Sequence, residues 1–181
     1  MLATLVIGAS SSAVGVYLLP LAEQAGLSPG VGRLAVTISL IAQLGGGALA
    51  ALVAGRVGYF IVFVAGGLVS GVVWAIYGFT PSAFLFLAAT AVGGVVVLFV
   101  APFLVPMTIE ADPSRRAAVQ SGAAQLLSGA LGPLLASFVV SEHDAHGALW
   151  LAGAFMALGL ALSASLHFTA SSPLAGALDG G

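Results

Sequence analysis

The chain has 181 residues, of which 60% are apolar and only 6% are charged, whereas soluble domains carry roughly 25% charged residues. Four basic and six acidic residues cannot solvate a surface of this size, so lipid is the expected solvent, and the net charge of −2 excludes a basic nucleic-acid-binding surface. The absence of cysteine excludes a disulfide framework and thiolate chemistry.

Six apolar runs follow one another along the chain, and each is long enough to cross a bilayer as a helix of about 20 residues. Strands are not expected, because LIAQLGGGALAALVA lacks the polar–apolar alternation of a membrane barrel. The sequence therefore predicts an all-α membrane protein with a six-helix bundle over 1–168 and a flexible cytoplasmic tail over 169–181. The expected transmembrane helices cover 2–22, 34–54, 59–79, 83–107, 117–140 and 147–168.

The few arginines predict the orientation of these helices. Arg56, Arg115 and Arg116 fall in loops on the same side of the membrane as both termini, whereas only Arg33 falls on the other side. The positive-inside rule places the arginine-rich side in the cytoplasm. We therefore expect a multi-pass protein of the inner (plasma) membrane, as in bacteria, with both termini cytoplasmic.

The second and fifth predicted helices carry related sequences. A shift of 82 residues aligns RLAVTISLIAQLGGGALAALVA (33–54) with RRAAVQSGAAQLLSGALGPLLA (115–136), and 11 of these 22 positions are identical. Small apolar residues match easily by chance in such a composition, but the scarce polar types match as well. The polar and proline matches are Arg33/Arg115, Ser39/Ser121, Gln43/Gln125 and Pro20/Pro102.

The two copies, about 1–79 and 83–168, hold three predicted helices each. Because three is odd, the second copy must enter the membrane from the opposite face, so the repeats are inverted. Inverted repeats are typical of secondary transporters, whose substrate site lies near the midplane between the copies. The alternative interpretation is two small-residue packing helices that resemble each other by composition alone.

Two glutamines are the polar residues expected deepest in the membrane. Gln43 and Gln125 each lie ten residues after the arginine that begins their helix, which places them about 15 Å into the bilayer. Ser39 and Ser121 lie one turn earlier on the same helix faces. These side chains are either substrate-binding groups or partners in hydrogen bonds between helices. No acid, base or histidine is expected at a helix centre, which argues against a proton relay in this chain and against a strongly anionic substrate.

Three segments carry a family resemblance. ALVAGRVG keeps Arg56 and Gly58 of a G-x-x-x-D-[RK]-x-G signature, with Ala51 and Gly55 in place of its first glycine and its acid. EADPSRRAAVQSGAAQLLSGALGPLLA holds D-P-x-x-R before a Gly-Pro helix, and VYLLPLAEQAGLSPGVGRLAVTISL forms a helix junction. In this order and spacing, the chain resembles the C-terminal six-helix half of a major facilitator superfamily transporter, which itself contains nested three-helix repeats.

The resemblance implies secondary active transport of a small solute by alternating access, with no cofactor and no metal. It implies that the first helix lines the cavity, which makes Ser11 and Tyr17 further substrate-binding candidates. It also implies gating roles in cytoplasmic loops. The gating candidates are Arg56, Gly58, Asp112 and Arg115. The implied partners are the bilayer, the substrate, and a missing N-terminal six-helix half or a second copy of the chain.

The sequence is also compatible with functions other than transport. The runner-up is a helical membrane scaffold or assembly partner that transports nothing. An intramembrane enzyme is disfavoured, because Gly8-Ala9-Ser10-Ser11 lacks the glycine expected after a rhomboid-like nucleophile. The loop 142–146 holds two histidines and two acids and could bind zinc weakly, but a solvated turn is the expected structure. Trp74 and Tyr77 are interpreted as aromatic residues at the membrane interface.

Overall fold

The computed structural model describes residues 1–111, 116–141 and 144–178, and within them it contains helices and loops but no strand. The all-α prediction is therefore confirmed for this part of the chain. The helices are α1 (Leu2–Val16), α2 (Leu18–Gln24), α3 (Pro29–Val53), α4 (Tyr59–Phe79), α5 (Ala83–Val100), α6 (Leu104–Ala111), α7 (Arg116–Ala136) and α8 (His146–Leu178), with a 3-10 turn at Ala101–Phe103 between α5 and α6.

Four helical segments of the described chain are long and apolar enough to cross a membrane. A fifth span results if the bent pair α1–α2 counts as one crossing. The segment α7 is not among them, although it has 21 residues, because its glutamines, serines and proline dilute its apolar character. The four are Pro29–Val53, Tyr59–Phe79, Ala83–Glu110 and His146–Thr169.

The first predicted helix, 2–22, is in fact two helices that meet at Tyr17 with a bend of 52°. Pro20 explains the position of the break. Proline has no N–H to donate to the carbonyl four residues earlier, and its ring clashes with that carbonyl, here that of Val16. The N–H of Tyr17 instead donates to the carbonyl oxygen of Val14 at 3.0 Å, which tightens the last turn of α1. The 3-10 turn around Pro102 is a milder interruption, because Ala83–Glu110 remains one span.

A capping serine begins α3, and a glycine in the left-handed conformation follows its end. Ser28 precedes Pro29, and its hydroxyl accepts a hydrogen bond of 3.4 Å from the N–H of Val31, so it caps α3. Gly55 has φ +75°, a left-handed conformation that is easy for glycine, and it follows the last residues of α3. At the other end of the chain, α8 reaches Leu178, and the flexibility predicted for 169–181 stays a prediction.

Within the described residues the helices form rods that alternate in direction, as two apolar clusters show for every rod except α7. One cluster, the Tyr77 cluster, comprises Val14, Leu18, Leu21, Ala22, Ala35, Val73, Tyr77, Phe86, Ala89, Ala145 and Ala152. The other, the Tyr59 cluster, comprises Ala3, Ile7, Ala50, Tyr59, Val62, Phe63, Phe103, Leu104 and Met107. The Tyr77 cluster joins the ends of α1–α2 and α4 to the starts of α3, α5 and α8, and the Tyr59 cluster joins the opposite ends of α1, α3, α4 and α5–α6. The clusters therefore mark the two ends of the bundle.

The rods pack most extensively as α3 on α5 and as α1 on α7 and α8, with α4 against α5 and α8. Glycines allow the closest approaches. A Cβ at Gly46 of α3 would collide with the carbonyl oxygen of Val95, and one at Gly94 of α5 would lie 2.5 Å from the carbonyl oxygen of Ser39. A Cβ at Gly132 of α7 would collide with α1. Both crossings therefore depend on backbones in near contact, as small residues permit in membrane bundles.

Large apolar side chains cover the outside of the bundle. Leu44 is 73% exposed, Leu126 is 81% exposed, and the rings of Phe79 and Trp150 are similarly open. A soluble monomer rarely exposes contiguous apolar surface on this scale. The exposed face and the long apolar helices together indicate a membrane protein.

Candidate functional site

A cavity of about 360 Å³ lies between the two apolar clusters, in the middle of the rods. Its walls come from the central parts of α1, α3, α4, α7 and α8, from the end of α5, and from the 3-10 turn and the start of α6 that follow. The polar residues of the wall are Ser11, Ser12, Ser39, Gln43, Ser70, Gln125 and Ser128. The described residues thus form a partly open central cavity, and polar side chains from four helices meet in its wall.

The two predicted glutamines line this cavity together. Gln43 is on α3 and Gln125 is on α7, and both side chains are half-buried. In the described part of the chain, neither carboxamide makes a hydrogen bond. Each amide can donate two hydrogen bonds and accept two, so the cavity wall presents unused donors and acceptors from two different helices.

Two of the four remaining substrate-binding candidates also reach the cavity. Ser11 of α1 and Ser39 of α3 line it, and both also line a second cavity of about 50 Å³ beside Trp74. Ser121 is buried and is not among the lining residues, although it lies one turn before Gln125. Tyr17 likewise does not line the cavity, because its side chain packs against the Tyr77 cluster and against the buried alanines Ala13, Ala136 and Ala148.

Three serines of the cavity wall were not identified from the sequence. The hydroxyl of Ser12 donates to the carbonyl oxygen of Ser128 at 2.9 Å and to that of Ala9 at 3.2 Å. The hydroxyl of Ser128 donates to the carbonyl oxygen of Gln125 at 2.7 Å. Ser128 lies one turn after Gln125, and Ser12 follows Ser11, so helical spacing from the predicted residues was the available signal. The third is Ser70 of α4, which is buried.

The rest of the wall is apolar, and none of the lining residues is charged. Large apolar side chains flank the polar groups, among them Phe63, Leu104, Met156 and Leu160. All the charged side chains whose burial the structure describes are exposed and outside the cavity. They are Glu23, Arg33, Arg56, Glu110 and Asp144.

The gating candidates are only partly described. Arg56 donates to the carbonyl oxygen of Leu52 at 3.4 Å and so caps the end of the preceding helix, α3, and it makes no ion pair within the described residues. Gly58 is the residue before α4, with extended backbone. The glycine that replaces the signature acid, Gly55, has the left-handed conformation noted above. Asp112 and Arg115 lie outside the described residues.

The loop before α8 forms a hydrogen-bonded connection at the Tyr77 end of the bundle. The imidazole of His146 lies 2.7 Å from a carboxylate oxygen of Asp144 and 3.3 Å from the carbonyl oxygen of Gly78 in α4. The N–H of Ala145 donates to the side-chain oxygen of Gln24 at 3.0 Å. The hydrogen bonds from the backbone N–H and then the imidazole of His146 lower the pKa of Asp144 from its usual 3.8.

The sequence of this loop, at residues 142–146, was compatible with weak zinc binding. Glu142 and His143 lie outside the described residues. Among the residues that are described, no group of three metal-binding side chains comes together. The observed contacts of His146 and Asp144 are structural, because they join the loop to α4.

Tyr77, interpreted from the sequence as an interfacial aromatic, is buried, so its ring packs inside the bundle and does not face outward. Its hydroxyl donates to Thr90 at 3.2 Å, and the hydroxyl of Thr90 donates to the carbonyl oxygen of Phe86 at 2.8 Å. The rings of Tyr77 and Phe86 lie 4.8 Å apart between centroids. This packing holds α4 against α5 beside the smaller cavity.

The chain matches no protein-family model, no curated protein and no solved structure. The geometry of the cavity and the internal sequence repeat are therefore the observations that bear on function.

Proposed function

We propose that this chain is one six-helix bundle of a secondary active transporter, which moves a small solute across the membrane by alternating access. One observation carries the proposal. Gln43 and Gln125 occupy equivalent positions of the sequence repeat, and they line the same central cavity with carboxamides that make no hydrogen bond in the described chain.

The energetics of a membrane interior favour a binding role for these amides. A polar group that leaves water without a hydrogen-bond partner loses a few kcal/mol, roughly 1–3 by protein mutation. A packing role for Gln43 and Gln125 would require a bond to a neighbouring helix, and the structure contains none among its described residues. A solute that takes up the free donors and acceptors accounts for both the cavity and the glutamines.

The packing of the rods supports inverted repeats. The first three rods are α1–α2, α3 and α4, and the second three are α5–α6, α7 and α8. An exchange of the two sets replaces α1–α2 by α5–α6, α3 by α7 and α4 by α8, and the reverse. The α3–α5 contact then becomes the α7–α1 contact, and the α4–α5 contact becomes the α8–α1 contact. The contact between α4 and α8 is unchanged. All of these contacts occur in the structure.

Two local features repeat in the same way. The first rod of each set is interrupted near its repeated proline, Pro20 or Pro102. Next to each glutamine, the repeated leucine, Leu44 or Leu126, points away from the bundle and is more than 70% exposed. These equivalences support six membrane crossings, with α1–α2 and α7 as the two spans of weakest apolar character.

The proposal includes membership of the major facilitator superfamily, an inner-membrane location and cytoplasmic termini, for which the sequence motifs and the arginine distribution are the support. It also includes a partner bundle, either an N-terminal six-helix half or a second copy. Alternating access requires that one repeat or bundle rocks against another around the site.

A vesicle uptake screen tests the proposal. Membrane vesicles from cells that make the chain, with its partner bundle if one is encoded, would be incubated with a mixture of small metabolites and analysed by mass spectrometry. We expect at least one compound to accumulate above the level in vesicles without the chain. Gln43→Ala and Gln125→Ala should reduce that accumulation at equal protein content, and Ser137→Ala, an exposed site at the end of α7, should not.

The screen also decides between transport and the scaffold alternative. A scaffold would give no chain-dependent accumulation of any compound, and substitutions on the outer surface would then alter assembly alone. Chain-dependent uptake that is insensitive to both glutamine substitutions would contradict the proposed site.

A further inference from the structure

We infer that the central cavity selects an uncharged, mainly apolar molecule that carries one group able both to donate and to accept hydrogen bonds, such as a carboxamide or a hydroxyl. This inference rests on the proposed transport function and names the class of its substrate. It is argued from the composition of the cavity wall and from which polar atoms of that wall are already used.

The wall offers no counter-charge to a charged solute. None of its residues is acidic, basic or histidine, and the described charged side chains are exposed elsewhere. A carboxylate or an ammonium group that leaves water for such a site loses far more free energy than a neutral polar group does. The cavity therefore disfavours both anionic and cationic solutes, whereas the sequence argued only against a strongly anionic substrate.

Most polar side chains of the wall keep free hydrogen-bonding atoms, and these are mixed in type. The hydroxyls of Ser12 and Ser128 already donate to backbone carbonyl oxygens. The hydroxyls of Ser11, Ser39 and Ser70 and the carboxamides of Gln43 and Gln125 make no hydrogen bond in the described residues, and each of these groups can both donate and accept. A solute group that can both donate and accept satisfies such an amide fully, whereas an ether or a ketone satisfies only its donors.

The remaining wall determines the body of the solute. Phe63, Val96, Val97, Met156 and Leu160 present apolar surface around the two glutamines. At about 360 Å³ the cavity lies at the small end of the range of roughly 300–1,000 Å³ for ligand pockets. A compact aliphatic or aromatic body therefore fits the wall better than a sugar with hydroxyls on every side.

A matched set of probes tests this inference. The probes are 4-phenylbutanamide, 4-phenylbutanoate and 4-phenylbutylammonium, which share one apolar body and differ in the charge of the polar group. Trp74 reports binding by its fluorescence, because it lines the small cavity that shares Ser11 and Ser39 with the central one. Trp150 is 75% exposed, and W150F removes its background.

We expect the amide to change the emission of Trp74 saturably in W150F, and each charged probe to bind more than about tenfold more weakly. Adding Gln43→Ala or Gln125→Ala should weaken amide binding roughly twofold to tenfold, as for a lost hydrogen bond. Gln43→Asn and Gln125→Asn keep a carboxamide and should retain more affinity than the alanine variants. The Trp74 emission without probe checks that each variant is folded.

Three results would overturn the inference. They are a charged probe that binds as tightly as the amide, the absence of a Trp74 response to all three probes up to their solubility, and amide binding that is unaffected by both alanine substitutions. The outcome is separable from that of the transport proposal. Selective amide binding without chain-dependent uptake would contradict transport alone, and uptake of a charged metabolite would contradict the substrate class alone.

Discussion

The hydroxyl of Ser12 in α1 donates a hydrogen bond of 2.9 Å to the carbonyl oxygen of Ser128 in α7, at the edge of the central cavity. One turn further along α7, Gly132 faces the backbone of α1 so closely that a Cβ there would lie 2.8 Å from the nitrogen of Ala13. The hydrogen bond and the glycine together fix the separation of two helices that bear cavity residues, Ser11 and Gln125.

This close crossing predicts a large effect for a small substitution. Gly132→Ala should lower the free energy of unfolding by about 1–3 kcal/mol, because the added methyl group forces α1 and α7 apart. The measurement is thermal unfolding in detergent. Gly122→Ala on the same helix is the control, since a Cβ at Gly122 meets nothing within 4 Å. Equal stability of the two variants would contradict the close α1–α7 contact.

The α3–α5 crossing makes a second prediction with an adjacent control. Gly46→Ala places a methyl group against the carbonyl of Val95, so we expect a loss of stability similar to that for Gly132→Ala, about 1–3 kcal/mol. Gly47→Ala adds a methyl group to open space and should be neutral or slightly stabilising. If Gly47→Ala were the more damaging of the two, the position of α5 against α3 would be wrong.

The sequence predicted most of the rods, because each depends on a long apolar run. The bounds 59–79 agree with α4. The bounds 34–54 missed the first five residues of α3, because capping by Ser28 and the proline at the next position start the helix within a segment that composition marks as a loop. The break at Tyr17 was also missed, since an apolar run does not show where one proline bends a helix.

The sequence predicted the two glutamines of the candidate site but not all of the serines around them. Helical spacing from an arginine placed Gln43 and Gln125 at one depth, and both line the cavity. Ser121 was expected on the same face as Gln125, but tertiary packing buries it, and the periodicity of one helix cannot show which neighbour covers it. Ser12 and Ser128 escaped prediction because small polar residues in membrane helices are usually packing residues.

Six crossings predict a definite pattern of accessibility, which the natural absence of cysteine makes easy to measure. Single cysteines at Ser28, Ser82 and Ser137 should react with an impermeant maleimide on one side of the membrane, and a cysteine at Val57 on the other. The decisive position is Ser137, because it follows α7. Labelling of Ser137 from the same side as Val57 would show that α7 does not cross.

The connection between Asp144 and His146 predicts a dependence of stability on acid pH. The pKa of Asp144 is lowered in the folded protein, so its contribution is fully present above the ordinary value of 3.8 and is lost as the pH falls below it. We expect wild type to be slightly more stable than Asp144→Asn at about pH 5, with a smaller difference at about pH 3. Unfolding temperatures at both pH values measure this.

The control for that prediction is Glu23→Gln, another exposed acid near the same end of the bundle. The stability difference between wild type and Glu23→Gln should be similar at the two pH values, because the side chain of Glu23 makes no hydrogen bond in the described residues. A constant difference between wild type and Asp144→Asn at both pH values would show that the carboxylate adds nothing through its charge.

The most direct test of a transport site between the two glutamines is the initial uptake rate of the compound identified by the vesicle screen. It would be measured for wild type, Gln43→Ala, Gln125→Ala and the double variant at matched protein content. We predict that each single substitution lowers kcat/KM roughly twofold to tenfold and that the double substitution lowers it further, as for two hydrogen bonds to one solute. Rates equal to wild type in both single variants would contradict a binding site at Gln43 and Gln125.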